Sequence, residues 1–373
     1  MEQRVLATYR VRGEAATIAE RAAMLAVEQS VEMPLAAIDA PRILEDIVGV
    51  VRAIEDRGDG VFDIRIALAA ATMMGRAGAE AGQMLNILFG NSSIHDDVAL
   101  WDIELPAGFA AGPGGPRFGI AGLRRRLGAH GRAMTCSALK PQGLTPAELA
   151  TLAGRFAAGG IDMIKDDHGI ADQPYSPFAA RVRACAAAVA EASAKTGHPT
   201  RYAPNLSGSL DDLRRQIDAA RTAGVDTFLI APLVVGLPAF AAIVRENPDF
   251  AYLAHPAMAG AARMRPALLY GKIFRLLGAD AVIYPNHGGR FGYTPETCRA
   301  IAETARRPWE GLAPALPVPA GGMTRARVAE MLAFYGPDTM LLIGGGLLAA
   351  GPHLIEETSA FVREVAEKSH GGQ

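Results

Sequence analysis

Cysteine is scarce in this sequence. Cys136, Cys185 and Cys298 are the only three in 373 residues, too few and too scattered for a disulfide framework or a zinc cluster. Long apolar runs are also missing: no segment approaches the ~20 uninterrupted apolar residues that a membrane span requires. The opening Met1-Glu2-Gln3-Arg4-Val5 lacks the basic-then-apolar pattern of a secretory signal, so a reducing cytoplasm is the expected compartment. Nor is there an excess of one charge. Lys and Arg total 37 against 39 Asp and Glu, a formal net charge of −2, which excludes the basic footprint of a nucleic-acid binder. The run Arg124-Arg125-Arg126 reads as a solvated helix face, with a small anion contact as the alternative.

What is present is ordinary globular material, half of it apolar and a fifth charged. Its length exceeds the roughly 250–300 residues at which one core stops growing, so two domains are expected. The first part carries β-formers at Val5–Val11, helix formers from Ala15 to Glu28, a second strand-like run at Val61–Leu68 and an apolar stretch at Met84–Phe89. The densest Gly/Pro punctuation, Pro106 to Pro116, marks a boundary. The expected domains are 1–115, a small α+β unit of ferredoxin-like type, and 116–373.

Beyond the boundary, eight short β-like runs alternate with helical segments: Ala133–Leu139, Asp162–Asp167, Thr200–Leu206, Thr227–Val235, Ala251–Pro256, Ala281–Pro285, Leu316–Gly321 and Thr339–Gly344. Strict β-then-α alternation implies parallel strands with helical crossovers, and eight units in this length match a (β/α)₈ barrel. A doubly wound open sheet is the structural alternative. In such barrels the active site lies at the C-terminal ends of the strands. Those ends read Lys140, then Lys165 to His168, Asn205, His255, Asn286-His287, Gly321-Gly322 and Gly344 to Gly346.

Each of these carries a functional and a plain reading. Strand alternation puts Lys165 and Asp167 on one face, with His168 opening the loop. A protonated lysine cannot bind a cation, whereas its CO₂ adduct, a carbamate, is an anionic oxygen ligand. Lys165, Asp167 and His168 then form a divalent-metal set, Mg²⁺ or, with an imidazole present, a transition metal. The plain reading is a Lys–Asp ion pair beside a satisfied histidine. Gly321, Gly322, Gly345 and Gly346 close the last two strands, where barrels commonly bind phosphate on backbone N–H groups; tight turns alone are the alternative. Lys140, before Pro141, reads as an acid/base or a partner for the nearby carboxylates. His255 is a phosphate ligand, a proton shuttle or a packed core residue. Asn286 to Phe291 reads as a lid with glycine hinges, and Arg290 as an anion contact or a surface arginine. Cys136 is expected to be a packed, inert thiol.

These motifs, in this order, resemble the RuBisCO large-chain superfamily. Lys140-Pro141 looks like its Lys-Pro motif. Gly159 to Asp167 is similar to its Gly-Gly-x-Asp-x-x-Lys-Asp-Asp-Glu motif, and Gly119-Ile120 to the segment entering the barrel. Leu85 to Gly90 resembles its Gly-Asn-x-Phe-Gly segment, and Ala26 to Ser30 its Ala-Ala-Glu-Ser-Ser stretch. The resemblance implies that Lys165 is a carbamylated Mg²⁺ ligand, and that Glu28 and Asn86 reach a neighbouring chain's active site in a homodimer.

Departures from the pattern redirect the expected chemistry. The third ligand, glutamate in the family, is His168; the second lysine of Lys-Pro-Lys is Gln142; Val31 to Pro34 replaces Thr-Gly-Thr-Trp. The lid reads His287-Gly288-Gly289-Arg290 without the CO₂-orienting lysine, and Pro256 stands where an arginine follows the strand-five histidine. The resemblance is therefore to the RuBisCO-like proteins rather than to carboxylases. It implies a phosphorylated keto-sugar substrate and enediolate chemistry, foremost isomerisation of 5-methylthioribulose 1-phosphate in methionine salvage. The alternatives are a diketo-methylthiopentyl phosphate enolase, an oxo-isoapionate phosphate decarboxylase, or an inactive binding or stress-response protein.

Overall fold

The computed structural model describes residues 3–76, 78–112 and 114–370. The chain divides into two compact units. One comprises residues 1–114 with 259–269 and 309–312; the other comprises 115–258, 270–308 and 313–373. Pro113, within the Gly/Pro punctuation, lies outside the described residues.

The first unit runs β1 (Arg4–Arg12), α1 (Ile18–Glu28), β2 (Val50–Asp56), β3 (Val61–Ala69), α2 (Ala81–Phe89) and β4 (Val98–Glu104). The strands form an antiparallel sheet in the order β2-β3-β1-β4, the βαββαβ arrangement of ferredoxin-like units. Alternation in β1 buries Val5, Ala7, Tyr9 and Val11 on one face, and α1 contributes Ile18, Ala22, Leu25 and Ala26 to the core. The expected strands at Val5–Val11 and Val61–Leu68 are β1 and β3. The expected helix from Ala15 starts only at Ile18, because residues 15–17 form a turn. Sequence patterning missed β2 and β4: β2 is an edge strand with little buried surface, so its alternation is weak.

The second unit is the eight-stranded parallel barrel. Its strands are β5 (Met134–Leu139), β6 (Met163–Asp166), β7 (Arg201–Ala203, resumed at Asn205–Leu206), β8 (Thr227–Ile230), β9 (Ala251–Ala254), β10 (Ala281–Pro285), β11 (Leu316–Ala320) and β12 (Met340–Leu342). Each pairs in parallel with its sequence neighbours except at β11 and β12, between which no ladder forms among the described residues, and β12 returns to β5. Pro204 interrupts β7. The fourth strand, expected to reach Val235, stops at Ile230 because Pro232 starts a short helix, Pro232–Val235.

The seam between β11 and β12 has a sequence cause. Leu316 donates its N–H to the Asp280 carbonyl on the β10 side, so residues 317 and 319 face β12. Both are prolines with no N–H to give, and the Thr339 hydroxyl donates to the Pro317 carbonyl instead, at 3.1 Å. Inside the barrel, Met134, Cys136, Met163, Ala203, Leu229, Leu253, Ile283, Val318 and Leu342 form one apolar cluster. Helix α3 (Gly119–Leu127) packs Ile120, Leu123 and Leu127 against it. Asp280 holds that helix by accepting from the Phe118 and Gly119 N–H groups at 2.7 and 2.8 Å. No helix among the described residues is long and apolar enough to cross a membrane.

At the start of β6, the fully buried Asp162 accepts from Arg132 at 2.6 and 2.8 Å and from the Thr135 N–H at 2.7 Å. Burial pushes this carboxyl up, but hydrogen bonds from Arg132 and His198 and the Arg132 charge outweigh it, leaving it below the usual carboxylate range. A carboxyl lowered by folding stabilises above its unfolded pKa, about 3.9, and that contribution is lost as pH falls through the lower folded value. Asp162→Asn is predicted to cost about 3 kcal/mol in urea unfolding at pH 7 by stranding the Arg132 charge. The gap between wild type and variant should shrink below about pH 4.

Candidate active site

The C-terminal ends of the first, second and fifth barrel strands bring five of the expected residues together. Lys165 is the last inward-facing residue of β6, paired laterally with Ala138 and Ala203. Those two small neighbours leave room for its side chain above the apolar cluster. It is only 4% exposed, and its amine donates to the Asp166 carbonyl at 3.1 Å. Burial pushes the amine's pKa down, against the opposing influence of Cys136 and Asp167. Asp166, pointing the other way, anchors the strand: its carboxylate accepts from Tyr202 at 2.7 Å, the Asn205 N–H at 3.0 Å and Arg181 at 3.1 Å.

Asp167 is the hub. One carboxylate oxygen is in contact with the Lys140 amine. The other accepts from the Gly169 N–H at 3.1 Å and lies 3.5 Å from His168 Nδ1. Burial raises its pKa, but the Lys140 and Gly169 hydrogen bonds with the Lys165 and Lys140 charges leave it below the carboxylate range. Lys140 follows β5, where its peptide bond to Pro141 is cis. The His168 ring stacks on His255 at 4.0 Å between centroids and 14° between planes.

His255 is held neutral. Burial and the Lys165 charge push its pKa down to about 2, and its Nδ1 accepts from the Ala257 N–H at 3.2 Å. That bond assigns the ring proton to Nε2, which makes the imidazole a hydrogen-bond donor toward its open side. Cys136 is fully buried, with its thiol pushed up to about 12 by burial, as an inert core group would be.

The glycine turns lie at the ends of β11 and β12. Gly321 and Gly322 have φ of 82° and 86°, backbone that side chains rarely adopt. The loop after β10 packs on this turn: a Cβ on Gly322 would meet the Gly289 Cα at 2.8 Å, and one on Gly321 would meet the Phe291 ring at 3.3 Å. Arg290 itself is exposed, 5.6 Å from the Phe291 ring centroid. The turn after β12 adjoins the lysine, since a Cβ on Gly344 would lie 4.0 Å from Lys140 Cε, whereas one on Gly345 would meet open space. Glu28 and Asn86 belong to the first unit, at the C-terminal ends of α1 and α2. Gln29 ties those ends together through the Ile87 carbonyl, at 2.8 Å, and the Ser92 N–H, at 2.9 Å. Glu28 accepts from Asn91 at 2.8 Å, and Asn86 is exposed.

A divalent cation suits this group of side chains on one condition. Among the described residues, no three His, Cys, Asp or Glu side chains are disposed to hold a metal ion, so a site at Asp167 and His168 needs an oxygen from Lys165. The lysine is fitted to provide it, because a buried amine with a lowered pKa is more often neutral and so able to add CO₂. The 3.5 Å between Asp167 Oδ1 and His168 Nδ1 is also near the roughly 3.0–3.4 Å that separates adjacent ligands each about 2.1 Å from one octahedral or tetrahedral cation.

Residues 119–357 match the family of the ribulose bisphosphate carboxylase large chain, catalytic domain. The chain is 58% identical over 373 residues, 100% of its length and 99% of the relative's, to the 5-methylthioribulose-1-phosphate isomerase of Rhodospirillum rubrum. The crystal structure of a Rubisco-like protein from Rhodopseudomonas palustris superposes with a TM-score of 0.92 at 50% identity, covering 100% of both chains. A dimeric archaeal Rubisco from Hyperthermus butylicus shares the fold, with a TM-score of 0.88 at 24% identity over 99% of this chain and 91% of that one. The chain belongs to the RuBisCO large-chain family, and within it to the RuBisCO-like proteins.

Two contacts escaped sequence reasoning: the Asn205 amide bonds to the loop after β6, and the seating of Gly289 on the Gly321-Gly322 turn. The only signals for them were a polar residue at a strand end and a glycine pair. Two substitutions separate fold from ligand at these turns. Gly322→Ala should destabilise by about 1–3 kcal/mol in urea unfolding, from its φ and the Gly289 contact. Gly345→Ala meets nothing, so it should leave stability within about 0.5 kcal/mol while raising KM for a phosphorylated substrate.

Proposed function

We propose that this protein isomerises 5-methylthioribulose 1-phosphate by moving a proton through an enediolate, as a step of methionine salvage, without fixing CO₂. The observation that carries this reading is the full-length 58% identity to the Rhodospirillum rubrum isomerase. It is supported by a barrel mouth in which a buried lysine, a carboxylate and two histidines converge. The absence of a lid lysine between His287 and Arg290, and Pro256 in place of an arginine, argue against carboxylation and against a second phosphate.

Lys165 as its carbamate, Asp167 and His168 would hold Mg²⁺ or another divalent cation, which supplies Lewis-acid polarisation of a ketone and its neighbouring hydroxyl. The chain's own groups do the rest. Lys140, at the rim, takes the proton from the carbon next to the carbonyl and returns it to the adjacent carbon. His255, neutral and protonated on Nε2, donates a hydrogen bond to the oxygen on which charge develops. Backbone N–H groups of the Gly321-Gly322 and Gly345-Gly346 turns receive the phosphate, with Arg290 available from the neighbouring loop. Glu28 and Asn86 complete the site of a second copy in a homodimer, and the soluble cytoplasm is the compartment proposed for this chemistry.

Phosphorus NMR of a panel of phosphorylated substrates tests the reaction. The methylthio sugar should be converted to an isomeric phosphate, and Lys140→Ala should lower kcat by about 10²- to 10⁴-fold with the fold intact. Release of CO₂ from an oxo-acid phosphate, with the methylthio sugar untouched, would reject the isomerase reading. Mixing inactive Glu28→Ala with inactive Lys140→Ala tests the shared site. Hybrid dimers should restore up to about a quarter of the wild-type activity, since half the dimers are hybrids and each regains one of two sites. No recovery would mean that each chain builds its own site.

A further inference from the structure

The loop after β6 is held from within by Gln173, which donates to the Gly169 carbonyl and accepts from the Ala171 N–H, both at 2.8 Å, and from the next strand by Asn205. Asn205 resumes β7 after Pro204, two residues beyond Ala203, which pairs with Lys165. Ala203 belongs to the apolar cluster inside the barrel, whereas Tyr202 turns outward to Asp166. By strand alternation Asn205 shares the inward side with Lys165 and Asp167.

Three hydrogen bonds join Asn205 to the second strand and its loop. Its N–H donates to Asp166 Oδ2 at 3.0 Å, and its side-chain nitrogen donates to the His168 carbonyl at 3.1 Å and the Ile170 carbonyl at 3.0 Å. Two carbonyl acceptors settle the amide's orientation, because only the NH₂ end can donate to both. The oxygen end is thereby left over. Asn205 is 2% exposed, and its Oδ1 has no hydrogen-bond partner among the described residues. A buried, unpaired acceptor is costly and calls for an explanation other than stability. The explanation is the work of the other end: the amide spans residues 168–170, and Asp167 sits between that clamp and the anchored Asp166.

We propose that Asn205 is a positioning residue for the Lys165–Asp167–His168 cation site, clamping the loop so that the Asp167 carboxylate and the His168 imidazole converge before any ion arrives. The inference rests on the cation site argued under the proposed function. Loss of the clamp lets the His168 carbonyl turn to solvent and the imidazole leave Asp167. Groups that orient metal ligands typically matter 10- to 100-fold in metal affinity.

The test is Mn²⁺ binding, followed by electron paramagnetic resonance in bicarbonate buffer, on the full chain with urea unfolding alongside. Asn205→Ala should weaken Mn²⁺ binding about 10- to 100-fold and lower kcat more than it raises KM, with the urea midpoint near that of wild type. Asn205→Ser keeps one donor for one of the two carbonyls and should fall between; it carries the test if the alanine variant does not fold. Unchanged Mn²⁺ affinity in a folded variant overturns the proposal while leaving the cation site standing. Wild-type protein that binds no Mn²⁺ with bicarbonate overturns the cation site itself, and the role of Asn205 with it.

Discussion

A lysine amine buried at the mouth of a barrel, with a carboxylate two residues along, is an unstable arrangement unless its surroundings are arranged for it. Among the described residues the Lys165 amine makes one hydrogen bond, to the Asp166 carbonyl, and its burial works against its charge. Desolvation of an ammonium is among the costliest events in folding. The neighbourhood is built accordingly. Asp166 is tied behind the strand by Tyr202, Asn205 and Arg181, and Asp167 is occupied by Lys140 and the Gly169 N–H. Each of these contacts holds β6 in the register that presents Lys165 to the open end.

The same constraint explains features that look unrelated. Small residues flank the lysine on both neighbouring strands, at Ala138 and Ala203. The barrel below is filled with Met, Leu, Ile and Val side chains, so the lysine stands on a dry floor. His255, pressed against His168, is neutral because cations and burial surround it. It therefore offers a proton donor in a hydrogen bond rather than a second positive charge. The glycine turns across the mouth present backbone rather than side chains, which suits an anion that must approach closely.

Much of this was legible from residue order, and the parts that were not have physical reasons. All eight barrel strands follow from the alternation of short β-forming runs with helical ones, because parallel strands are buried on both faces and read as continuous apolar runs. Their ends were less certain: Pro232 cut one strand short and Pro204 broke another. In the first unit, β2 escaped notice because an edge strand buries little. That Lys165, Asp167 and His168 gather at one strand end was legible from their spacing. The Asn205 clamp and the seating of Gly289 on Gly322 were not, since both join residues that are far apart in sequence and chemically ordinary.

The proposed chemistry depends on Lys165 becoming an anionic oxygen donor. The most direct measurement is a crystal structure of the wild-type protein grown with Mg²⁺ and bicarbonate. Planar density should extend from the Lys165 amine, with a cation shared by that group, Asp167 and His168. A bare amine hydrogen-bonded to the Asp166 carbonyl, with no cation beside Asp167 under those conditions, would contradict that chemistry.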